Sequence, residues 1–126
     1  MNQGVHKNAL HRQEKKEIER IQEVFAEHIR QSPNFDLLWS DKVGYVWLTI
    51  SLNPFYVDTG MWVESAAHLC RDLLDDIASD VLEMTQNDHS LEDADPLELQ
   101  EIKQRWKPYI DQLPEYGYLC EELLSI

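Results

Sequence analysis

The sequence predicts a small α+β protein in which a short antiparallel β-hairpin or sheet is packed by about four helices, in the order α-β-β-α-α-α. Apolar residues recur at three- and four-residue steps in several parts of the chain, as helices require. One run of β-branched and aromatic residues interrupts that period near residues 43–52 and favours strand. An all-α bundle is the alternative, if residues 43–62 are helical. At 126 residues the chain is predicted to form one domain over 1–126, with 1–7 frayed.

The first predicted helix runs from about Asn8 to Gln31, with charges of both signs around most of its circumference. Its apolar stripe consists of Ile18, Ile21, Phe25 and Ile29. Ser32-Pro33 ends the helix, because a proline disfavours helical geometry in the preceding residue and lacks an amide donor. The single stripe indicates an amphipathic helix that packs on the body of the protein or on a partner.

A hairpin is predicted next, with its first strand over Val43–Leu52 and its second within Phe55–Glu64. Asn53-Pro54 separates the strands, and Asp58-Thr59-Gly60 is expected to form a turn or bulge. Both faces of the first strand carry apolar or amphipathic side chains. A lone hairpin is unstable in water, so we expect at least one helix to cover it.

The remaining chain is predicted to be helical. Ser65 is a candidate N-cap for a helix over about Ala66–Gln86. Asp95, followed by proline and by glutamate three positions on, predicts the start of another helix. Pro108 and Pro114 are expected to divide the rest of the chain into a short turn and a last helix. The apolar stripe of the central helix consists of Ala66, Cys70, Leu73, Leu74, Ile77, Val81 and Met84.

The net charge of −13 is concentrated in one part of the chain. Residues 64–101 sum to −11, whereas residues 1–30 sum to +1. Such a field repels nucleic acid and anionic membranes, so we expect no direct nucleic-acid partner, no membrane association and a basic protein partner. The sequence has no window of about 18 apolar residues and no apolar stretch near its start, which together suggest a cytoplasmic protein.

Arg71–Glu83 brings five carboxylates into thirteen positions, and three interpretations compete. A metal cage needs carboxylates that converge from several elements, whereas these are predicted to point away from the apolar stripe. Residues 88–95 lack the glycine of a calcium loop. Imitation of nucleic acid is weakened by charge density, since about 31 Å of duplex carries roughly 18 phosphates. A solvated helix face is therefore the plainest interpretation, with a contact surface for a basic protein next, and no metal ligands are assigned.

Seven of the twelve aromatic residues lie between Phe35 and Trp62. The helix after the hairpin can cover only one sheet face, so the other face needs a different cover. The N-terminal helix, a second subunit in a homodimer through the sheet aromatics, or a docked protein are the three alternatives. The residues predicted to bind a partner are Tyr45, Trp47, Trp62, Asp72, Asp75, Asp76, Asp80 and Glu83.

Catalytic motifs are absent from the sequence: it has no GxSxG, no P-loop, no GxGxxG and no HExxH. Cys70 and Cys120 are predicted to be core thiols. No cofactor and no catalytic residue is assigned. The main hypothesis is a non-catalytic protein–protein interaction or regulatory module. The alternatives are an acidic nucleic-acid mimic that inhibits a basic DNA- or RNA-binding protein, and an unrecognised enzyme or metal protein.

Overall fold

The structure is a computed structural model, and it describes residues 14–52, 55–85 and 91–125. The chain divides into two compact units, Met1–Ala66 and Ala67–Ile126. The first unit contains a three-stranded sheet preceded by helices, and the second is helical. None of the described helices is both long enough and apolar enough to cross a lipid bilayer.

The elements follow one another along the chain. The first unit holds α1 (residues 14–24), α2 (Ala26–Gln31), β1 (Phe35–Ser40), β2 (Gly44–Leu52) and β3 (Phe55–Trp62). Then come α3 (Ala66–Met84), a 3-10 turn (Leu91–Asp93), α4 (Pro96–Ile110), a second 3-10 turn (Pro114–Tyr116) and α5 (Tyr118–Leu124).

The predicted α+β class is confirmed, and the all-α alternative is excluded because β2 and β3 are strands. The predicted N-terminal helix ends at Gln31 as expected, while its predicted start at Asn8 lies outside the described residues. It is interrupted at Phe25, but backbone hydrogen bonds from Phe25 to Ile21 and from Ile29 to Phe25 continue across the break. The sheet has one strand, β1, beyond the predicted hairpin. The prediction of a single domain stays a prediction.

The strands are antiparallel in the order β1-β2-β3. Ser40 pairs with Gly44, so a three-residue loop joins β1 to β2. Gly44 has a φ of 89°, in the left-handed region that glycine adopts at little cost and that such hairpin loops use. Between β2 and β3 the register shifts, and Asp58 is left without an opposite residue. The predicted turn or bulge at Asp58-Thr59-Gly60 is therefore a bulge.

The two faces of the sheet differ in burial. Side chains that lie directly opposite each other in an antiparallel pair point to the same face, so the register assigns the described side chains of the strands to one face or the other. We call one side the covered face; its buried members are Phe35, Leu37, Tyr45, Trp47 and Val63. We call the other side the exposed face; among the residues whose side chains the structure describes, its apolar members are Leu38, Val46, Leu48, Ile50 and Trp62.

Helix α1 lies along the covered face. The Lys15 ammonium sits 4.4 Å from the centre of the Trp39 ring, a cation–π distance. Ile18 is buried and lines a narrow crevice together with Trp39 and Tyr45. The Glu14 carboxylate accepts the Ala66 amide at 2.8 Å. Of the three covers considered for the sheet, the N-terminal helix therefore serves this face.

In the second unit, α3 shows three distinct rows of side chains. Its buried row is broad, and consists of Leu69, Cys70, Leu73, Leu74, Ile77, Ala78, Val81 and Leu82. A second row, at four-residue steps from His68 to Asp80, is half-buried. A third, exposed row runs at four-residue steps from Arg71 to Glu83. An amphipathic helix with one apolar stripe buries one side only. Helix α3 is covered further round, because the row from His68 to Asp80 is half-buried as well.

Helix α4 packs on α3 through its inner side. The Trp106 indole nitrogen donates to the Leu74 carbonyl at 2.8 Å, so this fully buried aromatic residue has its polar group satisfied. Asp95 and Glu98 form the predicted capping box. The expectation that Pro108 breaks the helix is wrong, because α4 continues to Ile110. A proline this close to the C-terminal end removes only one helical hydrogen bond.

Candidate interaction surface

The exposed face of the sheet is the candidate functional surface of this protein. Leu38 is 48% exposed and Trp62 is 41% exposed, and they lie on opposite edge strands. Between them, on the central strand, Val46, Leu48 and Ile50 are half-buried. A three-stranded apolar face that stays open to solvent is costly, and contiguous patches of this kind usually mark interaction sites.

The polar content of the exposed face is small. On β1 it includes Asp36, which is exposed, and Ser40. Gly60 lies opposite Leu48, and a Cβ built at Gly60 would sit 3.3 Å from the Leu48 Cδ2 atom. The Leu48 side chain thus lies over the glycine and fills the space there. The resulting surface is largely apolar, with a single carboxylate on the β1 side.

Two of the three aromatic residues predicted to bind a partner lie elsewhere. Tyr45 and Trp47 are both buried on the covered face. Trp47 stacks on Phe35 with ring centres 4.0 Å apart, and Tyr45 meets the edge of Trp39 at 5.0 Å. These contacts are core packing, so neither residue is available to anchor a partner on the surface. This is a correction, because one strand alone could not show which of its two faces would be covered.

Tyr45 also reports on the environment of the covered face. Burial raises the pKa of its phenol, and the nearby Glu19 carboxylate raises it further by disfavouring a second negative charge. The phenol is therefore held neutral to a higher pH than in a free chain. This behaviour suits a packed core residue rather than a reactive or exposed group.

Trp62 differs from the other two aromatic residues. It ends β3 opposite Val46, which assigns it to the exposed face; the residue is 41% exposed and also lines the crevice beside Ile18. Tryptophan is one of the residue types that most often anchor protein interfaces. Trp62 therefore remains in the candidate surface, together with residues that the sequence analysis did not select.

The five predicted acidic residues of α3 fall into two rows. Asp75 and Glu83 are exposed, in the row that begins at Arg71. Asp72, Asp76 and Asp80 are half-buried in the neighbouring row, where the Asp72 carboxylate lies 3.2 Å from the His68 Nε2 atom. The expectation that all five carboxylates face water therefore holds only in part, because Asp75 and Glu83 are exposed whereas the other three are half-buried.

Burial also raises the pKa of two carboxyl groups on α3. It raises the pKa of Asp72, with His68 opposing that shift and Asp75 adding to it. Burial likewise raises the pKa of Asp75, which Arg71 opposes and Asp76 reinforces. Both carboxylates hold their protons to a higher pH than free aspartate. On acidification, this part of the acidic surface will lose charge earlier than isolated surface carboxylates do.

Comparison of the chain with protein-family models, with curated proteins and with solved structures found no match. The geometry of the exposed face and the charge of α3 therefore carry the functional argument.

Sequence reasoning did not select Leu38, Val46, Leu48 or Ile50 for the surface, and Leu38 was missed because its strand was not predicted. Phe35, Leu37 and Trp39 alternate with other residues in the manner of a strand, and a loop that ends in Gly44 comes next. That pattern is sufficient to indicate a strand with two faces. It is easily overlooked because the run is only six residues long and comes directly after a helix stop signal.

Proposed function

We propose that this protein is a non-catalytic interaction or regulatory module that binds a basic protein partner. The observation that carries the proposal is the apolar exposed face, whose two outer anchors Leu38 and Trp62 both remain open to solvent. The acidic charge of the chain supports the choice of partner, because residues 64–101 sum to −11 and attract basic surfaces over distances set by ionic strength.

In this proposal the exposed face and the carboxylates of α3 have different roles. Apolar contact at the exposed face supplies most of the affinity, because a desolvated tryptophan with aliphatic neighbours is a typical interface anchor. The carboxylates of α3 mainly raise the association rate and exclude acidic partners. Binding should therefore weaken at high salt without vanishing, whereas loss of the apolar anchors should abolish it.

Capture of partners from an extract of the source organism tests the proposal when matched variants are used. Leu38→Ser places a hydroxyl on the exposed face, and Met61→Ser is its control. Met61 is 49% exposed, against 48% for Leu38, but it lies opposite Trp47 and so belongs to the other face. Proteins captured by the wild type and by Met61→Ser but lost with Leu38→Ser would support the proposal. Identical capture by all three would contradict it.

The electrostatic part has its own test. Asp75→Asn combined with Glu83→Gln removes two charges from α3. Glu121→Gln combined with Glu122→Gln removes the same charge from exposed positions on α5. If α3 steers the partner, only the first pair should slow association at low salt. An equal effect from both pairs would assign steering to net charge alone.

A nucleic-acid mimic that inhibits a basic DNA- or RNA-binding protein is the alternative proposal. It predicts that added duplex displaces the protein from its partner, and that neutralising Asp72, Asp76 and Asp80 together abolishes inhibition. The half-burial of those three residues weighs against it, because a mimic needs its charges on the surface. Binding that survives excess duplex would reject the alternative.

An unrecognised enzyme or metal protein is the third proposal, and native mass spectrometry of the purified protein tests it directly. A mass equal to that of the bare chain would leave the interaction module as the better account. A stoichiometric metal ion or small molecule would support the third proposal.

A further inference from the structure

Strand β1 is an edge strand whose outer side offers backbone groups for pairing. The Ile50 amide donates to the Asn34 carbonyl at 2.7 Å, which marks these two residues as a hydrogen-bonded pair. Such pairs alternate along an antiparallel ladder, so Asp36 and Leu38 direct their backbone groups toward β2. The backbone groups of Phe35, Leu37 and Trp39 point away from the sheet. Over the described residues, the sheet has no strand beyond β1.

The Leu37 amide, which points outward at the centre of this edge, already donates a hydrogen bond. The Leu37 N–H donates to the Asp36 Oδ1 atom at 2.8 Å, so the carboxylate of the preceding residue lies beside the edge. Asp36 itself is exposed. An unpaired edge strand is a template for another strand, and natural sheets protect such edges with charged side chains.

We infer that Asp36 prevents β1 from pairing with β1 of a second copy of this chain. A symmetric antiparallel pair centred on Leu37 would oppose Leu37 to its own copy, and Phe35 to Trp39. It would join two three-stranded sheets into one of six strands. The Asp36 carboxylates stand at the centre of that arrangement, where each occupies the Leu37 amide that the ladder needs.

Asp36→Ala tests the inference, because it frees the Leu37 amide and removes the charge. Sedimentation velocity of this variant should then show a concentration-dependent species with twice the mass of one chain. The wild type should sediment with the mass of a single chain at every concentration. At low concentration the Leu37 amide of the variant should exchange with solvent roughly tenfold faster than in the wild type, the factor typical of losing one hydrogen bond to a charged acceptor. At high concentration the exchange of the Leu37 amide in this variant should slow again, because the amide then pairs with the second copy.

Asp36→Asn separates the hydrogen bond from the charge, since its amide oxygen can still accept the Leu37 N–H. Asp93→Ala removes one exposed carboxylate from the other unit and controls for net charge. We expect both variants to remain monomeric. If Asp36→Asn associates as readily as Asp36→Ala, occupation of the amide is not the cause and the inference fails. It also fails if Asp36→Ala remains monomeric at every concentration. Asp36 also lies on the exposed face, so the two proposals are separated by their measurements: sedimentation of the isolated chain reports on self-pairing at the edge, and partner capture reports on the proposed function.

Discussion

At the scale of single residues, Cys70 shows what burial does to a reactive group. It is fully buried on α3, and both cysteines are free thiols. Burial raises the Cys70 pKa from 9.0 to about 12, with smaller contributions in the same direction from Cys120 and Glu115. Burial also raises the pKa of Cys120, which is partly exposed. The prediction that Cys70 is a core thiol is therefore confirmed.

This shift predicts how the two thiols react as the pH rises. The unfolded chain ionises Cys70 near pH 9, whereas the folded chain keeps the proton to about pH 12. The folded state therefore loses stability as the pH rises from 9 toward 12, because the unfolded chain releases this proton first. At pH 8 we expect iodoacetamide to alkylate Cys120 faster than Cys70 in the folded protein, and both equally in denaturant. Equal rates in the folded protein, read by peptide mass spectrometry, would contradict the burial of Cys70.

Glu98 is a buried carboxylate whose role is structural. Its Oε1 atom accepts the Asp95 amide at 3.0 Å and its Oε2 atom accepts the Thr85 hydroxyl at 2.5 Å. These bonds tie the end of α3 to the start of α4. Because a buried charge is stable only when its hydrogen bonds are made, the carboxylate depends on both partners.

We predict that Glu98→Ala lowers the free energy of unfolding by about 1 to 3 kcal/mol, through loss of both hydrogen bonds and of half of the capping box. Glu98→Gln keeps an acceptor for Asp95 and can pair its amide with the Thr85 hydroxyl, so its cost should be smaller. Urea denaturation measures both. A Gln variant as damaged as the Ala variant would show that the charge matters more than the hydrogen bonds.

At the scale of elements, the loop between β1 and β2 depends on Gly44. Its φ of 89° is unfavourable for any residue with a Cβ. Gly44→Ala should therefore cost about 1 to 2 kcal/mol of unfolding free energy. Gly60→Ala is the control, because it lies in a strand and the nearest atom to its new Cβ is the movable end of Leu48. We expect thermal denaturation to show a clear loss for the first variant and a small change for the second. Equal losses would contradict the role given to the backbone of Gly44.

Elements are easier to predict than their contacts. The N-terminal helix, β2, β3 and the capped start of α4 each have a strong local signal, and each is present. Strand β1 escapes prediction because its alternating residues are few and adjoin a helix stop. Helix α3 is placed correctly, yet its row from His68 to Asp80 is half-buried. The sequence shows which residues of a helix are charged, but it does not show how far neighbouring parts of the protein bury them.

The same limit applies to the aromatic residues of the sheet. Tyr45, Trp47 and Trp62 are chemically similar, and nothing in the sequence separates them. Register separates them, because Trp62 opposes Val46 whereas Tyr45 and Trp47 oppose the buried side of β1. Only pairing between strands decides which face a residue joins: β1 pairs with the part of β2 that holds Tyr45 and Trp47, and the pairing of β3 with β2 places Trp62.

At the scale of the whole molecule, charge and apolar surface are distributed unequally along the chain. The first unit, with the exposed sheet face, carries a net charge of about −2, whereas the second carries about −11. A nearly neutral apolar surface and a strongly acidic one suit contact and steering, respectively. The interaction proposal assigns one of these functions to each unit.

Hydroxyl-radical footprinting with a captured partner tests the central claim most directly. Trp62 and Met61 are adjacent, oxidisable and comparably exposed, but they belong to opposite faces of the sheet. If the exposed face binds the partner, oxidation of Trp62 should fall several-fold on complex formation while oxidation of Met61 stays unchanged. Protection of Met61 with Trp62 still reactive would place the partner elsewhere and contradict the account.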